Sequence, residues 1–336
     1  MTPVELAAVA EWLGVNIGLQ GVVGATKFTG GQSNPTYLIE AAERAVVLRR
    51  KPAGKLLKSA HAVEREYRVQ KALWGTDVPV TRVLALCEDT QVIGSPFYVM
   101  EHVVGRGFDD PQLPDIATSE KRSYYNEMGR VLAVIHQVDV TSVDLSDYGP
   151  QGNYFRRQID RWSGQYRASE TGALAAMDRL IAALDRACPD DDGRVTLVHG
   201  DYRIDNLIFA PDSPDISAVL DWELSTLGHP FADIAAVIMQ WQMPPGDQGR
   251  GLRGVDRAAA GLPSDEAFVA TYCERMGLKQ IDNFGFYVAF GFFRMAAILQ
   301  GVKKRAMDGT ASDPERGRRL GEFVPLYAEA GLEALG

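Results

Sequence analysis

Two short stretches of this chain gather side chains that can do chemistry. The first runs His199-Gly200-Asp201-Tyr202-Arg203-Ile204-Asp205-Asn206, and the second Val219-Leu220-Asp221-Trp222-Glu223. An Asp on a tight loop and an amide five residues later can face one small volume, and a carboxylate at the end of the next strand can join them. Such oxygen-rich ligation suits Mg²⁺, a hard cation that keeps waters and takes one or two carboxylates together with substrate phosphates. On this reading Asn206 and Asp221 hold metal, and Asp201 takes a proton from a substrate hydroxyl. Covalent hydrolase chemistry has no visible nucleophile, since the sequence carries no G-x-S-x-G or reactive-cysteine signature. His61, His102, His136 and His229 are scattered and support no zinc site.

Elements of two kinds must position these residues. Thr2-Pro3-Val4-Glu5 predicts a capped start to a first helix. Val22 to Phe28, Thr36 to Ala41 and Ala45 to Leu48 read as consecutive antiparallel strands, with Gly30-Gly31-Gln32-Ser33-Asn34 connecting the first two. A helix is expected from about Ser59 to Trp74. On it Val63, Glu66, Tyr67, Gln70, Leu73 and Trp74 share one stripe, while Glu64, Arg68 and Lys71 share another. Glu66 therefore falls on the apolar face and Glu64 on the wet one, and a carboxylate on an apolar face needs a partner. Two more strands are predicted at Arg82 to Cys87 and Phe97 to Val103. Beyond a hinge near Val103 to Gly105 the periodicity turns helical, at about 120 to 137, 152 to 168, 173 to 187, 231 to 242, 264 to 276, 284 to 305 and 314 to 334. Strand-like runs at Val195 to Val198, Asn206 to Phe209 and Ile216 to Leu220 flank the polar cluster.

With 336 residues the chain exceeds the usual single-domain size, and two lobes are expected, residues 1–103 and 104–336. Hydrophobic residues at 46% and charged residues at 24% exclude disordered and collagenous classes. A formal charge of −9 argues against nucleic acid or an anionic membrane as partner, because both need a basic footprint. The charge is unevenly shared. Residues 1–105 hold 11 Lys/Arg against 10 Asp/Glu, so the remainder holds 24 against 34 and carries a net of −10. Cys87, Cys188 and Cys273 are too few and too widely spaced for a disulfide framework, which points to a reducing cytoplasm. Glu5 and Glu11 near the N-terminus do not read as a secretory signal. The longest apolar run, Phe284 to Phe293, ends at Arg294, short of the ~20 residues that span a bilayer, and reads as a buried helix.

The strings His199-Gly200-Asp201 with Asn206, then Asp221, resemble the catalytic and metal-binding loops of the aminoglycoside phosphotransferase and choline kinase group, small-molecule relatives of the protein kinases. In protein kinases the catalytic loop reads H-R-D with Asn five positions after the Asp, and the metal Asp belongs to D-F-G. Here Gly200 stands for the Arg, and Trp222-Glu223 for Phe-Gly. The resemblance implies that Gly30, Gly31, Gln32, Ser33 and Asn34 form the phosphate-covering loop, although a full G-x-G-x-x-G is missing. It places Arg49 at the third-strand lysine that pairs with nucleotide phosphates. This is a departure, since Arg binds as a planar fork and Lys as a point charge. Glu66 matches the helix glutamate that pairs with that cation. Arg203 falls near the transferred phosphoryl group, where it would offset developing charge. Glu101 to Val103 would be the hinge whose backbone meets adenine. Asp233 would brace the catalytic loop, and His199 would be structural.

A nearer resemblance is to the kinase-like domains fused to some acyl-CoA dehydrogenases. Val47-Leu48-Arg49-Arg50-Lys51-Pro52, Gly152-Asn153-Tyr154, Arg157-Gln158 and Leu220 to Gly228 carry it. These resemblances imply an α+β, bilobal protein-kinase-like fold with a small five-stranded antiparallel N-lobe and a larger, mainly helical C-lobe. ATP and Mg²⁺ would serve transfer of the γ-phosphoryl group to a small-molecule hydroxyl, with no nucleic acid or membrane partner. The acceptor stays open. A net of −10 suits a cationic aminosugar or amino alcohol, whereas Arg156, Arg157, Arg161 and Arg167, on a helix with Trp162 and Tyr166, suit carboxylates or phosphates. A solvated surface accounts for both features, and the nearer resemblance implies a hydroxyacyl-CoA. A nucleotide-binding module without catalysis and a metal-dependent hydrolase are the rival readings of the same residues.

Overall fold

The computed structural model describes residues 1–28, 34–52, 62–246, 250–311 and 313–336. Within them the chain forms two compact units. One comprises Met1–Gly107, Thr141–Leu145 and Asp205–Ser225, and the other Phe108–Val140, Ser146–Ile204 and Thr226–Gly336. Elements are numbered along the chain. The expected single boundary after residue 103 and this division differ in one respect that matters for chemistry: Asp205–Ser225, which carry Asn206 and Asp221, group with the N-terminal sheet.

The first unit is built on a five-stranded antiparallel sheet of order β1-β2-β3-β5-β4, formed by β1 (Val22–Lys27), β2 (Thr36–Ala41), β3 (Ala45–Arg50), β4 (Val83–Cys87) and β5 (Phe97–Glu101). Helix α1 (Pro3–Ile17) precedes it and starts on a capping box, in which the Thr2 hydroxyl accepts from Glu5 N and Glu5 accepts from Thr2 N. The period of two sorts each strand between two faces. Val46, Leu48, Phe97 and Val99 pack with Val9 and Leu13 of α1, and Val47, Tyr98 and Met100 pack with Val63 of α2 (Val63–Leu73). The expected start of α2 at Ser59 lies outside the described residues. A single turn of helix, α3 (Thr90–Ile93), stands between β4 and β5 where the sequence pattern suggests none.

A hairpin of β7 (Leu207–Phe209) and β8 (Ile216–Val219) completes this unit. Arg106 and Phe209 exchange backbone hydrogen bonds, and Gly105 lies so close that a side chain there would meet the Phe209 carbonyl. Only glycine fits this approach.

The second unit is mainly helical, with α4 (Lys121–His136), α5 (Tyr154–Ser169), α6 (Ala175–Ala187), α7 (Phe231–Trp241), α8 (Asp265–Arg275), α9 (Phe284–Met307), α10 (Pro314–Gly321) and α11 (Val324–Leu335). Strands β6 (Thr196–Val198) and β9 (Thr226–Gly228) pair beside them, and β9 was not expected from sequence. The helix expected over 314 to 334 is two, because Pro325 lies in the first turn of α11 and ends any helix entering it. The helix expected over 284 to 305 is α9, which runs 24 residues and is long and apolar enough by length and composition to cross a bilayer. Two thirds of its most apolar window is buried, and it packs against α5, α6, α7, α10 and α11 as the core helix of the unit.

Candidate active site

In the first unit the chemistry gathers on Arg49. Its Nε lies 2.8 Å from Glu66 Oε2, and its Nη2 lies 2.5 Å from Asp221 Oδ1 and 3.9 Å from Glu223 Oε2. The strand period carries Arg49 to the face that holds α2, and the helical stripe carries Glu66 to meet it. Glu66 is fully buried, whereas Glu64 is part-exposed and pairs with Lys51 at 2.9 Å. Asn34 Nδ2 donates to Glu66 Oε1 at 2.6 Å, and Tyr98 Oη donates to Glu66 Oε2 at 3.2 Å. Gln70 and Thr81 extend this chain of bonds, through Gln70 Nε2 to Tyr98 Oη at 3.0 Å and Thr81 Oγ1 to Gln70 Oε1 at 2.6 Å.

Three carboxylates on one guanidinium leave the cluster rich in negative charge. Burial pushes the Glu66 carboxyl up to about 7; Arg49 opposes this, and Asp221 and Glu223 add to it. Burial disfavours the charge on Arg49 too, but Glu66, Asp221 and Glu223 together hold its pKa above the ordinary value.

Asn206 and Asp221 stand at adjacent ends of the β7–β8 hairpin, joined by the Leu220 N–H, which donates to the Asn206 carbonyl at 2.8 Å. Asp221 takes a left-handed backbone (φ 63°), uncommon outside glycine, as the chain turns out of β8. Among the described residues no three or more His, Cys, Asp or Glu side chains converge as a metal cage. The donor set is thus one amide oxygen and one carboxylate, which fits a cation that keeps most of its waters and takes phosphate oxygens.

In the second unit the Asp201 loop is held from beneath. Asp233, fully buried in the first turn of α7, accepts from the backbone N–H of His199 at 2.7 Å and of Gly200 at 2.8 Å. His136 Nε2 lies 3.3 Å from Asp233 Oδ2, and its Nδ1 lies 2.7 Å from Tyr272 Oη. Burial works against the Asp233 charge, but His136, His199 and the Gly200 N–H outweigh it and hold the carboxyl below its usual range. Gly200 has φ +84°, a backbone conformation that glycine adopts without strain. His199 is fully buried, and its Nδ1 accepts from Asp201 N at 3.2 Å. Asp201 and Arg203 are part-exposed, with Arg203 Nε 3.2 Å from Asp201 Oδ1. Arg294, in the middle of α9, donates from Nη2 to the Gly200 carbonyl at 3.0 Å.

Of the residues picked out in the sequence, the first unit brings together Asn34, Arg49, Glu66 and Asp221, with Asn206 beside the last. Gly30, Gly31, Gln32 and Ser33 lie outside the described residues. Glu101 is the last residue of β5, and Val103 follows beyond the ladder. Asp201 and Arg203 lie together in the second unit. Sequence reasoning missed three contributors. Glu223 had a signal, since a second carboxylate stands two residues after Asp221. His136 and Arg294 had none, because His136 meets Asp233 and Arg294 meets the loop at Gly200, each from a helix far away in sequence.

Residues 24–270 match the phosphotransferase enzyme family. Acyl-CoA dehydrogenase family member 10 of Mus musculus is 50% identical over 304 residues, which cover 90% of this chain and 28% of that protein. Acyl-CoA dehydrogenase family member 11 of Gallus gallus is 41% identical over 316 residues, 93% of this chain and 40% of that protein. The chain thus spans between about a quarter and two fifths of the length of these relatives. A crystal structure described as an aminoglycoside phosphotransferase from Ralstonia eutropha superposes with a TM-score of 0.88 at 45% identity, covering 98% of this chain and 97% of the other. A spectinomycin phosphotransferase in complex with ADP and spectinomycin, at 12% identity, has a TM-score of 0.65 over 99% of each chain and shows the same kinase-like α+β fold.

Proposed function

Because this chain belongs to the phosphotransferase enzyme family, we propose that it moves the γ-phosphoryl group of ATP, with Mg²⁺, to a hydroxyl of a small molecule. The observation that supports this reading is the β7–β8 hairpin, at whose ends the Leu220 N–H bonds the Asn206 carbonyl, with Asp221 next along the chain and paired with Arg49. Asn206 and Asp221 would hold Mg²⁺, which supplies charge neutralisation at the transferring phosphoryl oxygens when bound. Arg49, fixed by Glu66, binds the nucleotide phosphates through its fork, and Asn34 keeps the glutamate in place. Residues 30 to 34 cover those phosphates, and the backbone at Glu101 to Val103 takes the adenine. Asp201 orients the acceptor hydroxyl and receives its proton, on a loop set by Asp233. Arg203 offsets charge that develops on the transferred group. Residues 1–103 would then serve the nucleotide, and 104–336 would carry the catalytic and metal loops and the acceptor site.

The acceptor we favour is a hydroxyacyl-CoA ester or a related metabolite, supported by the likeness to acyl-CoA dehydrogenase family members. Incubation with ATP, Mg²⁺ and a metabolite extract supplemented with hydroxyacyl-CoA esters, followed by mass spectrometry, tests it. Products heavier by one phosphoryl group should form with wild type and vanish with Asp221→Ala, whose fold should persist. ATP hydrolysis without such a product would show a hydrolase, and normal turnover by Asp221→Ala would sink the mechanism.

A further inference from the structure

The arginines of α5 show how the helical unit disposes of its cations. Arg156 pairs with Asp185, Arg157 donates to the carbonyls of Pro150 and Gln151, and Arg167 is shared by Glu170 and Asp178. Beyond residue 105, where acids outnumber bases by 34 to 24, a carboxylate or carbonyl partner for each guanidinium is unsurprising.

Arg161 and Arg294 differ in meeting one aromatic ring. The guanidinium carbon of Arg161 lies 5.5 Å from the centroid of the Trp162 ring, and that of Arg294 lies 5.9 Å from the same centroid. Neither pairs with a carboxylate among the described residues. Arg294 also donates to the carbonyl of Gly200, the residue before Asp201. The indole is half-buried and itself donates to Gln158 Oε1 at 3.0 Å. An aromatic face attracts a cation but does not neutralise it, and two cations on one ring repel each other. An anion between them would remove that repulsion and take up the remaining donors of both forks.

We propose that Arg161, Trp162 and Arg294 form a subsite for an anionic group, a carboxylate or a phosphate, carried by the molecule whose hydroxyl Asp201 engages. This rests on the phosphotransferase reading above and adds the charge of the acceptor to it. The net acidity of the region does not by itself select a cationic acceptor, because Asp185, Glu170 and Asp178 are held in pairs with Arg156 and Arg167, while Arg161 and Arg294 pair with no carboxylate among the described residues.

Binding can be measured apart from catalysis by filling the nucleotide site with AMP-PNP and Mg²⁺ and titrating calorimetrically with two pairs of probes. 3-Hydroxybutyrate is set against 1,3-butanediol, and glycerol 3-phosphate against glycerol. At least one anion should bind saturably and its uncharged counterpart should not, and whichever anion binds tells carboxylate from phosphate. Arg161→Gln should weaken that binding about ten- to a hundredfold, the range for a charged hydrogen-bonding partner. Arg294→Gln can also loosen the Gly200 carbonyl, so Arg294→Lys, which keeps charge and a donor, should recover part of the affinity. Arg156→Gln should leave it unchanged. Equal binding of charged and uncharged probes, no binding of either anion, or equal effects of Arg161→Gln and Arg156→Gln would each overturn the proposal. Asp201→Asn separates the two readings, since it should end phosphoryl transfer and leave anion binding in place. Anion binding in a protein that transfers no phosphoryl group would count against the phosphotransferase reading alone.

Discussion

Arg49 and Arg50 are neighbours on one strand and lead opposite lives. The pleat sends Arg49 to the α2 face, where Glu66, Asp221 and Glu223 surround it, and sends Arg50 to the α1 face, where it meets Glu5 at 2.6 Å, Ser95 Oγ at 3.1 Å and the Ile93 carbonyl. Arg50 has one acid and satisfied neighbours, the arrangement of a structural clasp. Arg49 has three acids around it, which leave its site with an excess of negative charge. The glutamates report the contrast. Glu5 is held down to about 2, chiefly by the Thr2 N–H and by Arg50, whereas burial drives Glu66 up to about 7. Two ion pairs built from the same residue types thus differ, because both arginines are largely buried but Glu5 keeps contact with water and faces one cation, whereas Glu66 is dry and shares its cation with two more acids.

The contrast can be broken first at the arginines. Arg49→Met should cost about 3–5 kcal/mol, the range for stranding a buried charge. Arg50→Met should cost about 1–2 kcal/mol, since it frees the Ile93 carbonyl and Ser95 but leaves Glu5 open to water. Urea unfolding of both variants measures the gap, and equal losses would erase the distinction. Titration gives the next largest effect. The Glu66 carboxyl is raised in the fold, so its contribution is full below about pH 4.5 and is lost as pH rises toward 7. That of Glu5 has the opposite sign, present above about pH 4.5 and lost as pH falls toward 2. In unfolding measured against pH, Glu66→Gln should flatten the first window alone and Glu5→Gln the second alone. The smallest effect should come from Glu223→Gln. Removing one of the charges that raise Glu66 should shift the upper window to lower pH without abolishing it, and an unmoved window would remove Glu223 from the cluster.

Much of the first unit is legible in its sequence. The capping box at Thr2 and Glu5, the three early strands and the choice of Glu66 over Glu64 all derive from short-range periods of the backbone, which any local stretch of sequence displays. Elements shorter than a full period leave weaker traces. The single turn at Thr90–Ile93 and the three residues of β9 escape notice, and the break between α10 and α11 is hidden in a continuous helical pattern. The site obeys the same rule. Asp201, Asn206 and Asp221 stand close together in sequence and can be found there, whereas the supports of the loop cannot.

The sequence by itself determined the chemistry on offer: a loop Asp, an amide five residues later, a carboxylate at the next strand end, and a strand cation facing a helix glutamate. Only the tertiary structure decided how those groups are held and charged. His136 reaches Asp233 across 97 residues and Arg294 reaches Gly200 across 94, separations that no local period spans. The same holds for charge. Composition showed a net excess of acid beyond residue 105, but packing decided which guanidinium groups would find an acid, because a partner must be within a few ångströms and its distance is set by how helices stack. Arg156 and Arg167 found theirs, while Arg161 and Arg294 meet at the ring of Trp162 instead.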